Sequence, residues 1–181
     1  MLAEPVFNFK LETPGKAAAS FACGGEKVDF DLTNISNPLG DLLRGIASLI
    51  IEPAHLWGED NSCHVEWYSD QCCYRWVIST DATQQARISI TQTNAIFDDE
   101  ESREVMSATC GFYVFCHAIV SELDLFVKQM GLLNYEQKWQ RDEFPITYLL
   151  FLKKHLIDNN QWRATRHLNG TLSDELLLLL A

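Results

Sequence analysis

The chain has 181 residues, 47% of them hydrophobic, and carries 14 Lys and Arg against 25 Asp and Glu for a formal net charge of −11. Such a surface repels phosphate backbones, which argues against nucleic acid and anionic membranes and favours encounter with a basic protein. The apolar content suits one α+β domain over residues 1–181 with a sizeable core, and no apolar run approaches the roughly 20 residues a bilayer crossing needs.

Phe7, Phe9 and Leu11 alternate with Asn8 and Lys10, the two-residue period of a half-buried strand. Thr13 to Lys16 reads as a turn. Segments 17–23 and 26–32 flank Gly24-Gly25, the composition of a two-residue hairpin loop, so three strands form a meander. A helix follows, with Ser36 or Asn37 as its cap, Pro38 in its first turn and Pro53 as its stop. Its buried face reads Leu39, Leu42, Leu43, Ile46 and Leu49. Gly40 and Gly45 each weaken a helix by up to about 1 kcal/mol relative to alanine, so their presence implies close approach of another element.

After a loop at 55–61 comes a second meander. A two-residue turn at Asp70-Gln71 pairs Tyr68 with Cys73, Trp67 with Tyr74, Glu66 with Arg75 and Val65 with Trp76. That register gathers Cys63, Val65, Trp67, Tyr74, Trp76 and Ile78 on one face and sets Glu66 opposite Arg75 on the other. Ile88 and Ile90 extend the apolar face from a third strand, 86–91.

From 100 to 130, Val105, Thr109, Phe112, Cys116, Ile119, Leu123, Phe126 and Met130 recur at steps of four and three. The spacing predicts one long central helix, capped by Asp98 or Asp99, with Glu100 and Glu101 favoured by its dipole and Gly131 at its end. At 1.5 Å per residue it would span roughly 45 Å. Residues 134–141 read as a polar connection, a further helix runs from about Pro145 to Asn159 on Leu149, Leu152 and Leu156, and Ser173 caps a last short helix of five consecutive leucines. Five leucines surround a helix, so 161–181 is expected to be an arm that docks on its own domain or on a second copy. The fold expected is α+β: about six mostly antiparallel strands, in the order βββα-βββα-α(α), with helices packed on one face of the sheet.

No phosphate loop, dinucleotide fingerprint, nucleophile elbow or metal-ligand spacing is legible, so no catalytic residue, cofactor or metal is expected. The six cysteines lack a Cys-x-x-Cys pair and read as buried thiols. With no secretory leader legible at the N-terminus, the expected location is cytoplasmic. His64, Glu66 and Arg75 on the outer face of the second meander, together with His117 on the central helix, are the candidate ligand-binding groups. Asp98, Asp99, Glu100, Glu101, Leu177 and Leu180 are the candidate partner contacts.

The charge is uneven. Up to Tyr135 there are 8 basic and 19 acidic residues, and beyond it 6 of each. The functional expectation is therefore a non-catalytic binding or regulatory module for a basic protein partner. One alternative is a small-ligand-binding protein or enzyme with a cleft between sheet and helices. The other is a structural protein that self-associates, as a homodimer, through its leucine-rich end.

Overall fold

The computed structural model describes residues 4–51, 61–95, 98–163 and 171–181. The first meander forms as its alternation requires: β1 (Val6–Thr13), β2 (Lys16–Cys23) and β3 (Glu26–Thr33) make an antiparallel sheet in that order. Gly24 and Gly25 turn the second hairpin at φ 66° and 90°, a conformation open to glycine at little cost. Helix α1 (Pro38–Ile51) starts where expected, with the Asn37 side chain accepting from the Gly40 amide at 2.9 Å.

Both helix glycines have a physical reason. A Cβ on Gly40 would lie 2.5 Å from the capping Asn37 amide, and one on Gly45 would lie 3.0 Å from Val65 and 3.2 Å from the Cys63 sulfur. The second contact lets α1 press closely on β4.

The second sheet is antiparallel, in the order β4 (Asn61–Tyr68), β5 (Cys73–Thr80), β6 (Gln85–Ala95), β7 (Asp98–Gly111). Its first hairpin has the expected register, Tyr68 to Cys73 through Val65 to Trp76. The loop expected at 55–61 lies outside the described residues except for Asn61, which opens β4.

The long helix is a correction. Residues 98–111 form a seventh strand rather than helix, and α2 spans only Phe112–Met130. Val105 and Thr109 kept the seven-residue rhythm by coincidence, whereas Met106 and Cys110 are buried while Ser107 and Thr109 are exposed, the alternation of a strand. Pairing with β6 supplies a long ladder of backbone hydrogen bonds. Gly111 is the N-cap, without a side-chain cap, so Asp98 and Asp99 cap nothing in α2. Instead of one sheet of about six strands there are two, of three and four strands.

The two sheets face each other through aromatic rings. Phe30 meets Trp67 edge-on at 4.9 Å and stacks on Trp76 at 5.3 Å, while Phe21 packs against Trp76 at 5.4 Å. Strand β3 crosses the second sheet from edge to edge: Glu26 at its start accepts from the Ser107 amide of β7 at 2.8 Å, and Thr33 at its end donates to the Tyr68 carbonyl of β4 at 3.2 Å. A carboxylate also covers the β1 edge, where Glu122 of α2 accepts from the Phe9 amide at 3.2 Å. Capping free strand edges in this way blocks unwanted pairing.

Helices α1 and α2 lie on the buried sides of the sheets. Phe126 of α2 packs on Phe9, and Phe115 packs on Phe21. The segment expected as a polar connection contains α3 (Leu132–Trp139), whose Tyr135 and Trp139 are fully buried beside Phe126 and Phe144. Helix α4 (Ile146–Asp158) buries Leu149, Leu152 and Leu156 as the spacing predicts. The cap of helix α5 (Leu172–Leu180) lies two residues earlier than expected: Thr171, not Ser173, forms a capping box with Asp174. No helix among the described residues is long and apolar enough to cross a membrane.

Candidate functional site

Strand alternation puts His64, Glu66 and Tyr68 of β4 on the face away from the core, beside Arg75 of β5. There Arg75 Nε donates to Glu66 Oε1 at 3.0 Å, and the Tyr68 hydroxyl donates to Glu66 Oε2 at 2.7 Å. Both Glu66 oxygens are thus engaged. The Tyr68 hydroxyl is the main influence that holds the Glu66 carboxyl below its usual range, with Arg75 and His64 adding to it against partial desolvation. The same bond raises the Tyr68 phenol. Glu66 and Arg75 remain 41% and 42% exposed, so this is an open polar patch rather than a pocket.

His117 does not join it. That histidine is exposed on α2, with its Nδ1 3.1 Å from the Ser121 hydroxyl and its ring 5.2 Å from Trp162. The structure therefore brings three of the four expected ligand-binding groups onto one face and leaves the fourth on another layer.

The acidic run lies at the start of β7, where Asp98 pairs with Ala95, and the side chains of Asp98, Asp99, Glu100 and Glu101 fall outside the described part. On α5, Leu178 is buried, whereas Leu177 and Leu180 are 45% and 75% exposed together with Leu176. All six cysteines are free and buried. Desolvation pushes the Cys63 and Cys110 thiols up to about 12, away from the thiolate that reacts or binds metal. No three His, Cys, Asp or Glu side chains among the described residues gather as a metal site.

A polar cleft lies elsewhere, between one end of the first sheet and the β4–β5 turn. This cleft of about 450 Å³ is lined by Glu12, Lys16, Asp31, Asp70, Tyr74 and Gln92, among others. Lys16 Nζ donates to Asp70 Oδ2 at 2.6 Å across its mouth, which raises the Lys16 pKa. Tyr74 is buried, and its phenol is raised first by that burial and then by the neighbouring Cys72 thiol. Three carboxylates line the cleft; Lys16 meets Asp70 and Lys10 meets Glu12 at 2.9 Å, so the balance of charge around it is negative.

None of these residues was singled out from sequence. Period-two patterning orients Tyr74 inward, but only the crossing of the sheets brings Asp31 and Asp70, 39 positions apart, to one rim. Comparison with protein-family models, curated proteins and solved structures finds no match for this chain.

Proposed function

We propose that this chain is a non-catalytic binding protein whose partner presents a basic protein surface. The observation that carries the reading is the charge: all of the net −11 falls in the first 135 residues, and exposed carboxylates on the first sheet and the β4–β5 turn, Glu12, Asp31 and Asp70, border the cleft described above. A surface of this kind raises encounter rates with cations and repels nucleic acid. Cytoplasmic residence and a partner that is neutralised or regulated by the contact belong to the same reading.

The test is salt dependence. A partner recovered by affinity capture and rebuilt from purified components is expected to be basic, to bind in fixed stoichiometry, and to weaken markedly between about 0.01 M and 0.15 M salt, as the screening length falls from about 30 Å to about 8 Å. A neutral or acidic partner, bound equally at both, overturns the reading.

A second reading has its own observation. Leu176, Leu177 and Leu180 form an exposed apolar face on α5, which suits self-association. Deleting 176–181 should then halve the mass in solution; an unchanged mass removes self-association from consideration.

A further inference from the structure

Within that reading, and resting on it, the cleft between the sheets has the chemistry of a specific contact. We propose that it receives a single basic side chain of the partner, a guanidinium, and that Lys16 occupies the place which the incoming cation takes.

Size comes first. A cleft of about 450 Å³ lies within the range of roughly 300–1,000 Å³ typical of ligand sites, ample for one long side chain. Charge comes second: Glu12, Asp31 and Asp70 line the cleft, Lys16 holds Asp70 and Lys10 holds Glu12 at 2.9 Å, so one carboxylate is in excess. Hydrogen bonding comes third and is independent of charge. Tyr74, only 7% exposed, lines the cleft together with the Cys72 sulfur. The same sulfur takes the Gln92 amide at 3.4 Å and lies 3.2 Å from the Ser69 hydroxyl. A thiol is a weak partner for any of them. The Gln92 carbonyl oxygen, at the wall of the cleft, is left without a protein donor among the described residues.

A guanidinium answers this set of groups better than an ammonium. It brings five N–H donors in a planar fork, can serve a carboxylate and an amide oxygen at once, and tolerates contact with an aromatic ring. Lys16 supplies the same charge from within the chain. Its bond to Asp70 spans the mouth, yet the two side chains are 55% and 61% exposed, so the pair is hydrated, screened by salt and inexpensive to open. A partner's arginine can then take Asp70 while Lys16 swings into water.

The peptide acetyl-Gly-Arg-Gly-amide is the probe, with its citrulline counterpart as a neutral isostere and its lysine counterpart as a compact cation. Amide shifts of the ¹⁵N-labelled protein report the location. The arginine peptide should produce saturable shifts at Ala17, Leu32, Cys72 and Gln92, the lysine peptide weaker ones, and the citrulline peptide none. Asp31→Asn combined with Glu12→Gln should weaken binding at least tenfold. Lys16→Met should tighten it severalfold, whereas Lys154→Met, the same charge change on α4 where the lysine meets only Asp158, should not. Equal tightening by both variants, or shifts scattered over the acidic surface, would overturn the cleft as the contact and leave the basic-partner reading standing. If neither the arginine peptide nor poly-L-arginine gives any salt-sensitive response, both fall. A lysine peptide as tight as the arginine one overturns the guanidinium preference.

Discussion

Two clusters in this molecule use the same charges in opposite surroundings. On the outer face of the second sheet, Glu66 and Arg75 are each about two-fifths exposed, at 3.0 Å. Between α2 and α4, Lys153 is wholly buried, its ammonium 2.9 Å from Asp124 Oδ1, while Lys128 holds Asp124 Oδ2 at 2.9 Å and the Trp162 ring lies 5.0 Å from Lys153 Nζ. Water solvates the first pair whether or not the partners meet. In the second, the Lys153 ammonium is solvated by protein: among the described residues, a carboxylate and an aromatic face. Groups of the first kind are available for exchange with a ligand, as Lys16 and Asp70 are at the cleft; those of the second kind hold the fold.

The contrast breaks most visibly at Asp124. Asp124→Ala leaves the Lys153 ammonium buried without its carboxylate, and the expected loss is about 3–5 kcal/mol, read as a lower urea midpoint. A loss below about 1 kcal/mol would mean that the ammonium reaches water and that the two clusters do not differ. The double variant Asp124→Leu with Lys153→Met removes the buried ions together. It should be neutral or up to about 1–4 kcal/mol more stable than the native chain, which separates the penalty of an unpaired charge from the worth of the pair.

A pH series sharpens the same point. Desolvation lowers the Lys153 pKa below its ordinary 10.5, more than Asp124 restores it. The folded state therefore holds this proton less tightly than the unfolded state does. The penalty for a buried ammonium is fully present below the folded value and is relieved as pH rises toward 10.5. Relative to Lys153→Met, the native chain should gain stability over that alkaline window, whereas the tyrosines, which both proteins share, cancel in the difference. A difference flat with pH would show that Lys153 keeps its ordinary affinity for the proton.

Legibility from sequence follows the range of the interaction that decides each element. The first meander, the cap at Asn37 and the register of β4 with β5 depend on neighbours a few positions apart, and all three were readable. The strand at 98–111 was not, because its residues satisfy both a three-four rhythm and an alternation, and β6 decides between them. Helix α3 reads as polar since its only buried anchors, Tyr135 and Trp139, are a single turn apart in an otherwise hydrophilic stretch. The site divides in the same way. Glu66 opposite Arg75 was a local inference, whereas the cleft needs β3 to lie across the second sheet, and no periodicity encodes how two sheets cross.

The smallest expected effect tests the exposed cluster itself. In a double-mutant cycle of Glu66→Gln and Arg75→Met, the coupling should be about 0.2–1 kcal/mol and should vanish near 1 M salt, where the screening length is about 3 Å. The Tyr68 hydrogen bond is the largest single cause of the lowered Glu66 pKa, ahead of the Arg75 hydrogen bond and of the Arg75 charge taken separately. Because the folded carboxyl lies below its ordinary 4.5, its contribution is present above that value and is lost as pH falls through the folded pKa. Tyr68→Phe should consequently move the Glu66 titration upward, followed by the side-chain carboxyl carbon in NMR, and by more than Arg75→Met moves it. If Arg75→Met has the larger effect, charge rather than hydrogen bonding governs this face, and the face would respond to a passing cation as readily as the cleft does.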